Sequence, residues 1–459
     1  MKLSEIQSAL QKCETLPTRS LGQNFLHDQN LARWIVGSLQ IQPGDHVIEI
    51  GPGLGALTEN LAAHDIRLTL IEKDGRLIRH LEEKFRNSQT EILHIDALDY
   101  DLRQAWGKGP VKIIGNLPYY ISTPLIAKFT SALSPASRLV LTLQLELAQR
   151  LNATPRTKEY GAMTVCVNRR WKASYLRKLP ASVFFPAPKV DSAVIALDRR
   201  PTGEVRPLDE SLFDSLVRRG FSERRKQLRN LVPELKTVWS TVVAALEVPE
   251  TVRAEELSLA QWETLTHVAR PSAAQSGKEL FDVVDENDRV LRAEERETVH
   301  VNNFLHRAVH ILIFNSQGDL LLQRRSIWKD RNPGRWDSSA AGHVDSGEDY
   351  RGAAERELRE ELGIDIPRLD RLGKLTPCEQ NGWEFIEVFR GVHDGPFTAA
   401  PMEVETTAFF RKDNVLAWAA GSPGDFSPVF LLCLDLPAFD IGPLAGPAGS
   451  LVGKSGLLR

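Results

Sequence analysis

Three stretches of this sequence combine residue types and spacings that could do chemistry. Residues 342–364 read GHVDSGEDYRGAAERELREELGI and set Glu357, Glu360 and Glu361 at i, i+3 and i+4, on one helical face. Carboxylates that close repel one another unless a cation joins them, and oxygen-only donors suit Mg²⁺ or Mn²⁺. Residues 51–55, Gly-Pro-Gly-Leu-Gly, sit between a strand pattern and a helix pattern. Glycines let the backbone approach a ligand, and a following helix N-terminus presents amides to it. With Ala56 the loop satisfies G-x-G-x-x-A from Gly51 and Gly53, and Glu72 lies about 20 residues on, where a ribose-binding carboxylate belongs. The loop alone does not separate NAD from S-adenosylmethionine. The third stretch is Asn116-Leu117-Pro118-Tyr119. An exocyclic aromatic amine is a poor nucleophile, and the Asn116 side-chain oxygen with the Leu117 carbonyl could hold its protons and draw it toward tetrahedral geometry. Pro118 stiffens the turn and Tyr119 is placed to stack on an extruded base.

The elements around these stretches set their positions. From Asp45 short apolar runs (HVIEI, LTLIE, EILHID, VKIIGN) alternate with helical stretches (ALTENLAAH, RLIRHLEEKF), the rhythm of a doubly wound parallel α/β sheet. Glu72 and Asp96 end two of those runs, so both carboxylates project from the carboxyl edge, where such sheets bind ligands. The expected organisation is a Rossmann-like domain over residues 1–200 and a helical RNA-contacting subdomain over 201–268. In the latter, SLFDSLVRRGFSERRKQLRNLV reads as a basic amphipathic helix that includes residues 221–230. A linker follows at 269–279, then a mixed α/β domain over 280–440 with strands at HILIFN, DLLLQRR and EFIEVFR. Its turn is expected at 332–334 and its helix at about 350–362. The tail, 441–459, is rich in Gly and Pro and is expected to lack order.

The 459 residues carry 57 basic and 60 acidic side chains, net −3. That sum hides two unlike halves: residues 1–270 hold 36 basic and 30 acidic side chains (net +6), and 271–459 hold 21 and 30 (net −9). Residues 151–200, with 10 basic against 3 acidic, are a candidate polyanion-facing surface. Cys13, Cys166, Cys378 and Cys433 show no paired spacing, which argues against a disulfide framework or a zinc site and for reduced thiols in the cytoplasm. No export or membrane segment is expected.

Asn116-Leu-Pro-Tyr119 resembles the motif of the ribosomal RNA adenine dimethyltransferases (the KsgA/RsmA family), together with Gly22-Gln-Asn-Phe-Leu26, Phe184-Phe-Pro-Ala-Pro-Lys-Val-Asp-Ser192 and Phe221-Ser-Glu-Arg-Arg-Lys-Gln-Leu-Arg-Asn230. The resemblance spans residues 18–265. It implies that Asn24, Leu26, Gly51, Gly53, Glu72, Asp96 and Asn116 contact S-adenosylmethionine and that Asn116, Leu117 and Tyr119 serve the target adenine. Phe184 is expected as the opposite wall, with Phe185 the alternative. The implied reaction is dimethylation of two adjacent adenosines in the 3′-terminal hairpin of small-subunit rRNA, within a pre-30S particle. The related resistance methylases that modify large-subunit rRNA are the alternative. A ribosome-assembly RNA-binding factor is another.

Residues 342–364 match G-x5-E-x7-R-E-U-x-E-E-x-G-U, with U a bulky aliphatic residue, at Gly342, Glu348, Arg356, Glu357, Leu358, Glu360, Glu361, Gly363 and Ile364. This resembles the Nudix hydrolases. It implies a metal at Glu357, Glu360 and Glu361, a catalytic role for Glu361, and a nucleoside diphosphate derivative as substrate; a non-catalytic nucleotide sensor is the alternative. Arg356 would orient a glutamate and Glu348 would support the loop entering the helix. HRAVHILIFN and WDSSAAGHV resemble the Nudix branch that includes isopentenyl diphosphate isomerase. That chemistry needs a cysteine just before Gly342-His343, where Ala341 stands, so isomerase activity is not expected. His306 and His343 read either as ligand positions left from that branch or as ordinary hydrogen-bonded histidines. The whole is expected to act as a monomer.

Overall fold

Short apolar runs separated by amphipathic stretches suit a sheet buried on both faces, and the computed structural model shows one. It describes residues 3–18, 21–86, 90–206, 208–269, 279–327, 329, 331–400 and 402–437. The expected linker, apart from its two end residues, and the whole C-terminal tail lie outside the described residues. Seven strands run in the order Thr90–His94, Arg67–Glu72, His46–Ile50, Val111–Asn116, Ala136–Gln144, Ser192–Arg199, Trp171–Leu179. The first five are parallel; Ser192–Arg199 pairs antiparallel with both its neighbours, so Trp171–Leu179 again runs with the first five. Strand order reverses on either side of His46–Ile50, the switch point at which doubly wound sheets open a ligand crevice.

The glycine loop leads into less helix than its sequence suggests. Only Thr58–Leu61 is helical, and the loop ahead of it holds Gly51, Gly53 and Gly55 at φ of +62°, +59° and +84°, outside the helical region. The loop is tied instead from below. Glu49 is buried in the strand beneath it and accepts a 2.7 Å hydrogen bond from Thr58 Oγ1, and burial pushes its carboxyl up to about 8.

The helical subdomain has its own core, built by Phe213, Leu216, Trp239, Val242, Trp262 and Leu265. The expected basic helix does not continue through 221–230: it ends at Gly220, and residues 228–230 form a single 3-10 turn. Tertiary bonds displace the helical ones. Arg224 donates to the Thr157 carbonyl at 2.8 Å, and the Leu228 amide donates to Val252 O at 2.9 Å.

The second half is a mixed sheet with helices on both faces. Its path is Trp336–Asp337, Leu320–Arg325, His306–Phe314, Glu384–Val392, Asp370–Leu375, with Ala340–His343 paired to His306–Phe314 and Val404–Phe410 to Leu320–Arg325. The expected helix is present as Tyr350–Leu362, capped by Asp349 and closed by Gly363 at φ +67°. Ala353, Leu358 and Leu362 bury it against Val309, Ile311 and Ile313. The helices Lys412–Gly421 and Pro428–Leu434 cover the opposite face through Trp418, Phe430 and Cys433.

The two halves meet at the amino edge of the parallel sheet. Trp106, in the loop entering Val111–Asn116, stacks on Trp418 (centroids 4.8 Å apart) and meets Trp336 edge-on at 5.9 Å. Arg103 donates to the Phe409 carbonyl at 2.7 Å and Arg324 to the Ala132 carbonyl at 3.0 Å. Glu405, 4% exposed in its side chain, sits 2.8 Å from Arg170 and 3.7 Å from Arg324. Gly107 fits only because it lacks a Cβ, which would lie 2.7 Å from Trp418 Cα. No described helix is long and apolar enough to cross a membrane.

Trp106→Ala removes the indole by which the first half packs against the core of the second and is expected to cost about 2–3 kcal/mol, seen as a lower Tm and faster amide exchange in Val404–Phe410. The Glu49 carboxyl, raised when folded, favours the fold below the ordinary glutamate range and loses that contribution as pH climbs toward about 8. Glu49→Gln cannot lose it, so the Tm of the variant relative to the parent should rise between pH 5 and pH 9.

Candidate functional sites

The first site lies at the carboxyl edge of the parallel sheet. The two-residue strands Phe25–Leu26 and Phe184–Phe185 pair antiparallel, Phe25 opposite Phe185 and Leu26 opposite Phe184, and lay the N-terminal arm along the rim of the crevice. The resulting pocket is lined by Asn24, Leu26, Gly51, Gly53, Glu72, Asp96, Asn116 and Phe184. All seven residues expected at the cofactor therefore face one cavity, with the expected aromatic wall. Tyr120, Lys73, Glu49 and Leu77 line it too. Sequence reasoning passed over these because each adjoins a more conspicuous residue or reads as a core position.

Hydrogen bonds set the polar groups. Glu72 accepts from the amides of Asp74 (2.8 Å), Lys73 (2.9 Å) and Gly53 (3.2 Å), clamping the glycine loop to the next helix; burial still raises its carboxyl. Burial also acts to raise Asp96, but the Lys73 ammonium at 2.6 Å and the Leu98 amide at 2.9 Å hold it below the usual carboxylate range. Asn116 Nδ2 donates to the Asn24 carbonyl at 2.8 Å, leaving Oδ1 as the acceptor end of the amide. Leu117 and Tyr119 lie off the cavity. The Leu117 side chain is buried in the sheet core, and the Tyr119 hydroxyl pairs with Ser192 Oγ at 2.6 Å, fixing that ring against the strand.

The second site is built on the helix Tyr350–Leu362. Glu357, Glu360 and Glu361 line one pocket, with Glu361 2% exposed and the Glu360 side chain 60% exposed at the rim. Arg356 orders the cluster. It spans Glu348 (3.2 and 3.0 Å), Glu357 Oε1 (2.7 Å), Glu360 (3.3 Å) and the His343 carbonyl (2.8 Å). Glu348 also accepts the Asp345 amide at 3.2 Å, which closes the loop ahead of the helix. Burial and then the neighbouring Glu361 push Glu357 up to about 7. A Cβ on Gly342 would lie 1.9 Å from Glu357 Oε1, so the glycine makes room for that carboxylate. Two buried carboxylates converging beside an exposed third fit a hard divalent cation.

Beside it stands a cluster the sequence showed only in part. The ligand atoms of His300, His306 and His343 lie within 4.8 Å of one another, with Glu384 Oε1 3.5 Å from His306 Nε2 and 3.4 Å from His343 Nε2. Sheet register assembles it: His306 is opposite Glu384 in a parallel pair, and His343 is opposite Ala308. Burial lowers His343 to about 4 and His300 to about 3, keeping both imidazoles neutral and able to ligate a metal. Glu384 was missed because only strand pairing brings it to His306, and His300, though near His306 in sequence, reaches the cluster from the separate helix Arg296–Val301.

Residues 17–270 match the family model of ribosomal RNA adenine dimethylases, and residues 304–429 match the model of the NUDIX domain. The chain is similar to the ribosomal RNA small subunit methyltransferase A of Alkaliphilus metalliredigens, 39% identical over 274 residues, covering 57% of this chain and 95% of that protein. The protein of the same name from Lactiplantibacillus plantarum is 38% identical over 261 residues, covering 54% and 88%. The crystal structure of DR0079 from Deinococcus radiodurans aligns at 27% identity over 35% of this chain and 99% of that one, with a TM-score of 0.31. The chain belongs to the ribosomal RNA adenine dimethylase family and is an enzyme with a NUDIX domain following its methyltransferase part.

Proposed function

We propose that the first half dimethylates two adjacent adenosines in the 3′-terminal hairpin of small-subunit rRNA, and that the second half hydrolyses a nucleoside diphosphate derivative with Mg²⁺ or Mn²⁺. The observation that carries the first reading is Asn116, turned by Asn24 so that Oδ1 is its free acceptor at the mouth of the glycine-loop pocket. Support for small-subunit RNA comes from relatives named for it that match over nearly their full length. S-adenosylmethionine, when bound, supplies an electrophilic methyl group. Asn24, Leu26, Gly51, Gly53, Glu72 and Asp96 would hold it, Glu72 and Asp96 serving the ribose and the adenine amine. Asn116 Oδ1 and the Leu117 carbonyl would take the protons of the target amine and align its lone pair. Tyr119 and Phe184 would clamp the base. Positioning then does most of the work, since no strong general base is required.

In the second half Glu357, Glu360 and Glu361 would hold the metal, which, when bound, neutralises a diphosphate and activates water. Arg356 keeps the carboxylates in place. We place the protein in the cytoplasm, acting as a monomer on a pre-30S particle.

Incubation with labelled S-adenosylmethionine and undermethylated small subunits should yield dimethyladenosine, and Asn116→Ala should slow its formation by about a hundredfold. Labelling of large-subunit RNA instead would favour the resistance-methylase reading, and no product at all would favour an RNA-binding factor. A panel of nucleoside diphosphate derivatives with Mg²⁺ should show cleavage that Glu361→Gln cuts by about a hundredfold or more. Equal turnover by the variant would remove Glu361 from the metal site.

A further inference from the structure

The ammonium of Lys329 lies inside the acidic pocket. Its side chain is 10% exposed, its Nζ is 3.6 Å from Glu361 Oε1, and it also contacts Glu403. The placement is built in by the backbone. The Ser326 amide donates to Glu403 O at 2.9 Å, the Lys329 amide to Ser326 O at 3.1 Å, and the Ala400 amide to Glu361 O at 3.0 Å. The loops carrying Lys329 and Glu403 are thereby pinned to the metal-site helix. The two oxygens of Glu361 are unlike. Oε2 accepts from Gln323 Nε2 and from the Ala341 amide, both at 3.1 Å, whereas Oε1 faces Lys329. The oxygen left over for a metal is the one a lysine already attends.

We propose that Lys329 is a tethered counter-ion of the Nudix site, one that has to vacate Glu361 Oε1 when a divalent cation is bound and that then grips the substrate diphosphate. This rests on the metal reading of Glu357, Glu360 and Glu361. The other described Arg side chains lining the pocket pair elsewhere: Arg325 with Asp337 at 3.0 Å, Arg296 with Glu279 at 2.9 Å, Arg356 with Glu348 and Glu357, and the half-exposed Arg331 with Glu384 at 4.0 Å. Lys329 is the lining cation whose partner is a ligand carboxylate on the side away from Arg356. With Lys329 in place Glu361 stays neutralised without a metal; with Lys329 displaced, a mobile positive charge becomes available beside the bound diphosphate. The device favours metal and diphosphate binding together over metal alone.

The test uses the full chain and two probes, Mn²⁺ alone and inorganic pyrophosphate in the presence of Mn²⁺. Removing a unit charge about 4 Å from a ligand oxygen should tighten Mn²⁺ binding roughly five- to tenfold in Lys329→Met, read as loss of the free-Mn²⁺ electron resonance signal, while pyrophosphate binds several-fold more weakly. Lys329→Arg should stay near the parent for Mn²⁺. If Lys329→Met folds poorly, Lys329→Gln makes the same measurement. Unchanged or weaker Mn²⁺ binding in the charge-removing variant overturns the proposal. No Mn²⁺ binding by the parent chain would overturn the metal reading itself, so the two failures are distinguishable.

Discussion

A parallel sheet has two unlike edges, and this protein depends on using them for different purposes. At the carboxyl edge Gly51, Glu72, Asp96 and Asn116 emerge from successive strands and surround one pocket. At the amino edge Trp106, Ala132, Arg170 and Arg199 lie at strand starts or returns, and there the Nudix half docks. Docking at the other edge would cover the rim formed by Phe25–Leu26 and Phe184–Phe185. Because the docked edge is the far one, the described lining of each pocket comes from its own half alone.

The contact between the halves extends the apolar core of the second. Trp106 stacks on Trp418, packs against Trp336 and still donates its indole N–H to Leu133 O at 3.1 Å. Arg170, Arg199 and Arg324 crowd together there, which is tolerable only because Glu405 reaches them from one half and Glu210 from the other. Buried ion sets of this kind add little net stability, because their attraction is offset by the hydration the charges give up. One residue beyond Trp336, Asp337 lines the Nudix pocket. The contact therefore lies within one residue of the second site while sitting a full strand length from the first.

What the sequence made legible was local. Strand runs, the glycine loop, the box residues 342–364 and the helix Tyr350–Leu362 depend on neighbours within a turn or two, and they stand where their patterns put them. Misreadings occurred where distant partners win. Helical periodicity through residues 221–230 lost to bonds from Arg224 and Leu228 to residues 157 and 252. The hydrogen bond that fixes the Tyr119 ring, from its hydroxyl to Ser192, is not a misreading but a pairing that no spacing rule encodes. The cluster of His300, His306, His343 and Glu384 was legible only in part, because sheet register joins His306, His343 and Glu384 while His300 comes from the helix Arg296–Val301.

The charge asymmetry gains a physical meaning from this geometry. The −9 of the second half is concentrated where it is hardest to tolerate, with Glu357 and Glu361 both buried on one helix face. A protein can leave such a site protonated, fill it with a metal, or neutralise it with its own cations. Here Arg356 takes the Glu357 side and Lys329 the Glu361 side, while burial raises Glu357 to about 7, so the site already balances much of its charge. Arg356 is fixed by five contacts and belongs to the frame. Lys329 has a long flexible stem and only carboxylates at its tip, which makes it the one of the two able to move. The acidic half thus has cations of its own set against the carboxylates of its own helix face.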